Sequence, residues 1–448
     1  MPGPARENIQ GIITQRYAYP LARHLLLKTT DAAQARACLR EWLPKVTSAS
    51  DDLSARPEPL VNIGITWPGL EALLTAERIV GAETAFPADF REPPPEAVAG
   101  EWKGRFSGGE VHVVVSVHCR TEAGLDDASR MVRQGAEAGF VELTPNADRD
   151  PAITARSIGG RKLHFGFLDG ISEPAVNWDD EPDRPDLVDV RQFLLGYWSE
   201  TVQSFPREGR WADLVRDGSY GAFQWIRQDV ATFEQFLSAN APHLAPAIPA
   251  GQARELLAAK MMGRWRDGTP LILSPTAPNP ALSTATAFGY SDDPKGLRCP
   301  LTSHIRLANP RDQALTALVT PTVPKGGPQL LRRGLPYGPE LQGERDDGVD
   351  RGLVGLFLCS NLRAQFFLVM NWINKADFSP VFDFHRLRWQ DMLMADRATP
   401  GAVPDAAIST SSGEVLLHHL PQLLHWHGTL LLLFPGLSGL REIANVGD

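Results

Sequence analysis

Segments with strand-like and helix-like patterns alternate along this chain, and the alternation limits the available folds more than any other feature. An apolar run from Arg23 to Lys28 precedes an amphipathic stretch from Asp31 to Val46, and a β-branched run from Val111 to Val117 precedes a helical pattern from Leu125 to Ala138. Apolar residues three or four apart indicate a helix packed on a core, whereas β-branched runs are typical of strands. This order predicts an α+β layer in which helices cover one face of a sheet.

The second half of the chain repeats the same alternation. Its predicted helices are Val230 to Leu237, Ala253 to Met262 and Ala364 to Trp372, and its predicted strands are Leu353 to Cys359 and Thr429 to Phe434. A chain of 448 residues is longer than one ordinary hydrophobic core requires. We therefore predict two domains, residues 1–200 and 201–448. A Gly-, Pro- and Asp-rich stretch at 161–186 is long enough to be either a functional loop or a linker.

Composition excludes several classes of function. Lys and Arg total 44 against 53 for Asp and Glu, a formal charge of -9, which disfavours a sequence-independent grip on nucleic acid or anionic lipid. The four cysteines form no C-x-x-C pair, and the amino terminus lacks the apolar region of a secretory signal, so we expect a reduced, cytoplasmic protein, with export after removal of a signal as the alternative. The apolar run from Leu430 to Phe434 is far shorter than the ~20 residues that span a bilayer. These features predict a small-molecule partner.

Three segments place polar residues in unusual settings: Gly166-Phe167-Leu168-Asp169-Gly170, Ser303-His304-Ile305-Arg306-Leu307-Ala308-Asn309-Pro310-Arg311, and Leu331-Arg332-Arg333-Gly334-Leu335-Pro336-Tyr337-Gly338. Each has an ordinary interpretation. A G-x-x-D-G stretch is commonly a tight turn, a lone histidine is commonly structural, and paired arginines commonly form a solvated basic turn. The residue chemistry of each segment, taken alone, leaves the question open.

The ordered combination resembles the dye-decolorising peroxidases, which carry a G-x-x-D-G loop, then H-I-R-x-x-N-P-R, then an L-R-x-G-x-P-Y-G turn. Flanking matches, such as Glu7 to Gly11 and Met370-Asn371-Trp372, extend the resemblance from residue 7 to residue 437. The resemblance implies two ferredoxin-like domains with antiparallel sheets and peripheral helices. It also implies haem b held mainly by the carboxyl-terminal domain.

The resemblance further implies a role for each matching residue. His304 corresponds to the proximal iron ligand, and its other ring nitrogen is expected to donate to a carboxylate, for which Asp383 is the candidate. Asp169 corresponds to the group that moves a proton between the two peroxide oxygens, and Arg332 to the arginine that stabilises charge on the departing oxygen. Because a carboxylate accepts a proton only when ionised, we expect an acidic pH optimum.

Three further residues are candidates for cofactor contacts. Arg311 and Arg306 could pair with haem propionates, because a guanidinium matches a carboxylate bidentately, although a surface ion pair is the alternative for each. Phe357 matches a position that lines the distal pocket in the family, and core packing explains it nearly as well. The resemblance thus implies haem peroxidase activity that reduces hydrogen peroxide and oxidises dyes, phenolics or similar small aromatic donors. The sequence leaves homo-oligomer formation open.

Two other functions stay open. A haem-handling protein of the same superfamily would bind haem without peroxide-driven oxidation. The second is a metal-binding protein whose site is built from His418, His419, His425 and His427, because His425-Trp426-His427 directs two imidazoles to one face of a strand. Such a protein would have no haem spectrum.

Overall fold

The computed structural model describes residues 3–446 apart from 56, 96–98, 105, 146–151, 183, 185, 200–201, 207–208, 314–327, 375–389 and 398–404. The α-helices are α1 (Gly11–Thr14), α2 (Ala32–Trp42), α3 (Trp67–Leu73), α4 (Ala76–Ile79), α5 (Ala82–Ala85), α6 (Ala88–Arg91), α7 (Glu122–Ala136), α8 (Gly209–Val215), α9 (Val230–Leu244), α10 (Ala250–Met262), α11 (His304–Ala308), α12 (Leu368–Asn374) and α13 (Leu437–Ala444). A π-helical turn, Leu362–Phe367, leads directly into α12.

The strands are β1 (Leu21–Thr29), β2 (Leu60–Ile65), β3 (Val113–Cys119), β4 (Phe140–Leu143), β5 (Ile153–Arg156), β6 (Val176–Asn177), β7 (Val188–Asp189), β8 (Ser219–Gln228), β9 (Leu331–Tyr337), β10 (Gly352–Cys359), β11 (Ala406–Thr410), β12 (Gly413–Leu417) and β13 (Leu424–Phe434). Among the described residues, β4-β1-β3-β2-β13-β8-β10-β9 form one antiparallel sheet, and β5 pairs with β1. The predicted α+β class with antiparallel sheets is confirmed.

The sheet has one half from each part of the chain, and the halves join through β2 and β13 at a single residue pair, Ile65 and Leu433. Alternate residues of β1 separate into two hydrophobic clusters, with Leu25 in the cluster under helices α2, α3 and α7 and Leu26 in a cluster shared with β8 and β10. The ring of His24 on β1 lies 5.1 Å from the ring of Phe223 on β8. The two halves therefore pack face to face. The domain boundary at residue 200 stays a prediction.

Helix α2 shows how the sequence sets these elements. Its N-cap, Asp31, accepts a hydrogen bond from the backbone N–H of Gln34 at 2.9 Å, which satisfies one of the unpaired donors of the first turn. Ala35, Leu39 and Trp42 are buried at helical spacing. The helix predicted for 31–46 is confirmed, with its last residues continuing as a 3-10 turn at Leu43–Lys45.

One local prediction is wrong in a way that matters for the site. The segment Leu331–Tyr337, predicted as a turn, is strand β9, which pairs with β10 over its whole length. Gly334 makes this possible, because a Cβ there would lie 2.4 Å from the carbonyl oxygen of Val354 on the neighbouring strand. The strand gives Arg332 and Arg333 opposite directions, since successive side chains alternate across a sheet.

Among the described residues, no helix combines the length and apolar character needed to cross a bilayer.

Candidate active site

A cavity of about 260 Å³ brings together most of the residues singled out in the sequence. Its charged and polar lining includes Arg16, Asp169, Arg264, His304, Arg311 and Arg332. Apolar lining comes from β8, β10 and α12, including Ile226, Leu353, Phe357, Val369, Met370 and Ile373. The cavity is therefore largely apolar with a few convergent polar groups, which is typical of a cofactor or substrate site.

Asp169 reaches this cavity from the loop at 161–186. Its backbone N–H donates to the carbonyl of Arg161 at 2.9 Å, and the N–H of Leu168 donates to the carbonyl of Arg266 at 3.0 Å. Gly170 has φ +72°, a left-handed conformation that a glycine adopts without cost. These backbone contacts fix the loop, so the position of Asp169 does not depend on the side chain alone.

Arg332 and Phe357 face the cavity together. They are register partners on β9 and β10, and residues directly opposite in a ladder point to the same face of the sheet. Nη2 of Arg332 donates to the carbonyl of Ser172 at 2.9 Å, which ties the guanidinium to the Asp169 loop. Phe357 lines the cavity and also packs on Phe366 with 5.7 Å between ring centroids, so it serves the cavity and the core at once.

His304 is the first residue of α11, and its two ring nitrogens have different environments. Nδ1 lies 2.8 Å from Oδ2 of Asp391, while Nε2 has no hydrogen-bond partner among the described residues. The helix is held by Ser303, whose hydroxyl donates to the carbonyl of Lys260 at 2.6 Å. Gly263, with φ +94°, lets α11 approach, because a Cβ there would lie 2.5 Å from Ile305. The imidazole is thus fixed with one nitrogen available to the cavity.

The carboxylate behind His304 is Asp391, which the sequence analysis missed. Asp391 is fully buried, and its Oδ1 accepts hydrogen bonds from the backbone N–H groups of Leu393 and Met394 at 2.7 and 2.8 Å. The candidate partner was Asp383, which lies outside the described residues, and the structure gives the Nδ1 contact to Asp391 instead. No local pattern marks Asp391, because it lies 87 residues from His304 in an irregular segment.

Arg306 does not reach the cavity. Its side chain is fully buried, and its guanidinium donates to Oδ2 of Asp293 at 3.1 Å and to the carbonyl of Cys299 at 2.6 Å. The prediction that Arg306 contacts a cofactor is therefore corrected. Its side chain on α11 points away from the cavity and is hydrogen-bonded to buried Asp293 and Cys299. A buried guanidinium needs such partners, because its charge cannot be left unpaired.

Arg311 lines the cavity and has an unsatisfied donor. Its Nη1 donates to the carbonyl of Thr286 at 2.7 Å, but its Nε is buried and without a hydrogen-bond partner. Buried donors are nearly always paired, so an acceptor such as a cofactor carboxylate would complete this site. Together with the free Nε2 of His304, this orphaned donor shows that the residues present fit a haem carrying propionate groups.

Arg264, which was not predicted as a site residue, lines the cavity near Arg311. It donates to the hydroxyl of Ser172 at 3.1 Å and to the carbonyl of Gly268 at 2.6 Å. Burial lowers the pKa of its guanidinium to about 10, so it keeps its positive charge at neutral pH. The cavity therefore gathers more cationic than anionic side chains, which favours an anionic group inside it.

The carboxyl-terminal histidines do not assemble a metal site. His418 lies 3.3 Å from Asp405 and His427 lies 3.1 Å from Asp350, and a β-bulge interrupts β13 between Trp426 and Gly428. In the described part of the chain, no group of three His, Cys, Asp or Glu side chains converges as ligands.

A cavity with an imidazole–carboxylate pair, a second carboxylate and cavity-facing guanidinium groups has the donor set that a haem peroxidase requires. Comparison with known proteins agrees. The chain is 31% identical over 378 residues to a dye-decolorizing peroxidase of Mycena epipterygia, covering 78% of this chain and 68% of the relative. It is 26% identical over 420 residues to one of Auricularia auricula-judae, covering 89% and 78%. No family model matches the sequence.

Solved structures show the same similarity. A dye-decolorizing peroxidase in complex with 2,6-dimethoxyphenol superimposes with a TM-score of 0.79 at 26% identity, over 98% of this chain and 99% of that chain. The chain belongs to the dye-decolorizing peroxidase family. It is therefore a peroxidase of a family that depends on haem in general.

Proposed function

We propose that this protein binds haem b through His304 and uses hydrogen peroxide to oxidise dyes, phenolics or similar small aromatic donors. The observation that carries the proposal is the shared cavity, which is lined by His304, Asp169 and Arg332. Asp391 contacts His304 from outside this lining. The solved relative in complex with 2,6-dimethoxyphenol supports a phenolic donor.

On the proximal side, Nε2 of His304 would coordinate the iron. Bound haem supplies the redox chemistry, namely acceptance of two oxidising equivalents from peroxide and their return one electron at a time. The hydrogen bond from Nδ1 to Asp391 fixes the tautomer and the ring orientation, and it makes the imidazole a stronger donor. Arg311 would direct its unpaired Nε to a propionate.

On the distal side, Asp169 and Arg332 would act on peroxide. The carboxylate of Asp169 accepts the proton of the bound peroxide and gives it to the departing oxygen, which leaves as water. Arg332 places a permanent positive charge where that oxygen becomes negative. Phe357 presents an apolar surface beside them, which limits competing water.

The test is an absorption spectrum of the haem-reconstituted protein, followed by addition of peroxide and then of an anthraquinone or phenolic dye at pH about 4 and about 7. We expect a Soret band, a spectral change on peroxide addition, and faster dye loss at the lower pH. His304→Ala should lose haem, whereas the matched control His418→Ala, at an exposed histidine paired with Asp405, should retain it. A missing Soret band in the wild type would contradict haem binding.

The haem-handling alternative makes a different prediction for the same samples. Such a protein would show the Soret band and its loss in His304→Ala, but no dye oxidation at either pH. The presence of both Asp169 and Arg332 at the cavity favours turnover.

A further inference from the structure

The carboxylate of Asp169 already has a partner in this structure. Nη2 of Arg16 donates to Oδ2 of Asp169 at 2.5 Å, and the two side chains are 27% and 31% exposed. Oδ1 has no hydrogen-bond partner among the described residues. The arginine lies just after α1 and is 153 residues from the carboxylate that it contacts, so the local G-x-x-D-G pattern contains no sign of it.

The backbone of the Asp169 loop is shaped around this arginine. A Cβ at Gly170 would lie 1.8 Å from Nη1 of Arg16. No side chain can therefore occupy position 170 while the guanidinium keeps its place. Glycine at this position serves two needs, the left-handed φ of +72° and the close approach of Arg16.

A buried residue fixes the segment that carries Arg16. Nε and Nη2 of Arg333 donate to the carbonyls of Ile12 and Ile13 at 2.8 and 3.0 Å, and its Nη1 contacts Glu173 at 2.6 Å. Arg333 thus joins α1 to the loop at 161–186, which carries both Glu173 and Asp169. This arrangement gives Arg16 a fixed starting point for its contact with the carboxylate.

The other charged groups around this loop are engaged elsewhere. They are Arg161 on the carbonyls of Asp169 and Gly170, Arg264 and Arg332 on Ser172, Arg266 on Glu234, Arg311 on Thr286, His304 on Asp391, and Glu173 on Arg333. In the part of the chain that the structure describes, Arg16 is the cation that contacts the Asp169 carboxylate itself.

We propose that Arg16 is a positioning residue of the peroxide site, which holds Oδ2 of the Asp169 carboxylate and leaves Oδ1 as the oxygen that accepts the peroxide proton. This inference rests on the proposed function. The hydrogen bond from the guanidinium is charge-assisted, and occupation of Oδ2 orients the carboxylate. The proton passes from peroxide to Oδ1 and then to the departing oxygen, so Asp169 and Arg16 end the step unchanged.

The experiment compares haem-reconstituted wild type with Arg16→Gln, Arg16→Lys and Gly170→Ala. The control is Arg6→Gln, which removes an arginine of the same amino-terminal segment that pairs with exposed Asp179. Two pH profiles are measured between about 3.5 and 7: the rate of the Soret change on mixing with peroxide, and the rate of cyanide binding. Hydrogen cyanide must also lose a proton on binding, so it reports the same base without turnover.

We expect Arg16→Gln to keep its haem and to lower both rates about tenfold at pH 4 but less than about twofold at pH 7, because the cation beside the proton acceptor is gone. Arg16→Lys should restore much of the acid limb, because the cation returns. Gly170→Ala should resemble Arg16→Gln, because its methyl group takes the place of Nη1. Arg6→Gln should match the wild type.

Profiles of Arg16→Gln that superimpose on those of the wild type would overturn the inference. An equal loss of rate at every pH, with no restoration by lysine, would also overturn it, since that is the result of a merely structural role. A wild type that binds haem and cyanide but does not respond to peroxide would instead overturn the proposed function, and the cyanide profiles alone would then decide the role of Arg16.

Discussion

Asp391 and Asp169 each contact a nitrogen of a residue that lines the cavity, but the side chain of Asp391 is fully buried whereas that of Asp169 is 31% exposed. Asp391 accepts from His304 and from two backbone N–H groups. Asp169 has one side-chain partner, Arg16, and one oxygen without a partner among the described residues. Under the proposed function, this difference teaches that the carboxylate that orients the iron ligand is excluded from water, whereas the one that would exchange protons keeps access to it.

The largest effect should come from the distal carboxylate. Asp169→Asn keeps the shape of the side chain and removes the proton acceptor, so we expect the reaction with peroxide to slow by about 10²- to 10⁴-fold, with haem content unchanged. Stopped-flow absorption at the Soret band measures this. Asp213→Asn, at an exposed residue, is the control. Equal loss of haem and of rate would erase the distinction between the two carboxylates.

Two buried histidines should lower the stability of the protein in acid, the pH range in which Asp169 is expected to act. His24 and His118, buried between the two sheet halves, have pKa values lowered to about 3 and about 4, in both cases chiefly by burial. The unfolded chain therefore binds more protons below pH 6.5, so the free energy of unfolding falls as the pH drops from 6.5 to 4. We expect a loss of about 3 kcal/mol for each histidine.

Denaturant unfolding at several pH values measures this loss. His118→Leu should reduce the loss by about 3 kcal/mol, because Nδ1 of His118 has no hydrogen-bond partner that the substitution would remove. Exposed His243→Leu should leave the pH dependence unchanged. If wild-type stability stays flat between pH 6.5 and 4, these histidines do not limit activity in acid.

A smaller effect is expected on the proximal side. Asp391→Asn should weaken haem affinity or peroxide reactivity by about 10- to 100-fold, because the partner of a coordinating histidine sets its orientation and basicity. The iron reduction potential should become less negative, which a spectroelectrochemical titration measures. Asp405→Asn, beside exposed His418, is the matched control. An unchanged potential would mean that the buried carboxylate only fixes the ring.

The smallest effect concerns Arg311. Arg311→Gln should raise the haem dissociation constant about tenfold, because a hydrogen bond to a charged acceptor is worth roughly 1.5 kcal/mol. Haem transfer to an apoprotein acceptor measures the change. Arg345→Gln, at an exposed residue outside the cavity lining, should have no effect. Unchanged affinity in Arg311→Gln would assign its free Nε to another acceptor.

Periodicity and motif order predicted much of the fold and part of the site. The helix at α2 and the strand at β10 follow from apolar spacing alone, and Asp169, His304, Arg332, Arg311 and Phe357 lie at one cavity as expected. Motifs identify such residues because each lies in a short segment with a recognisable local pattern.

The misses share a physical cause. Arg16 and Asp391 act through contacts across 153 and 87 residues, and no local pattern encodes a long-range pair. Arg306 was misassigned because its direction depends on Asp293 and Cys299, which pack around it only in the folded chain. The pair Arg332-Arg333 looked like a solvated turn because charge usually indicates exposure, whereas here a strand buries the second arginine against α1.

The bridge made by Arg333 also bears on how the protein is synthesised. A ribosome delivers α1 early, yet the carbonyls of Ile12 and Ile13 receive their donors from a residue more than 300 positions later. Domains generally fold in order as they emerge, but the contacts of α1 with Arg333 and of His304 with Asp391 cannot form before residues 333 and 391 have been synthesised. A product terminated before residue 333 would lack both Arg333 and Asp391, so neither the contact that holds α1 nor the contact that orients His304 would be present.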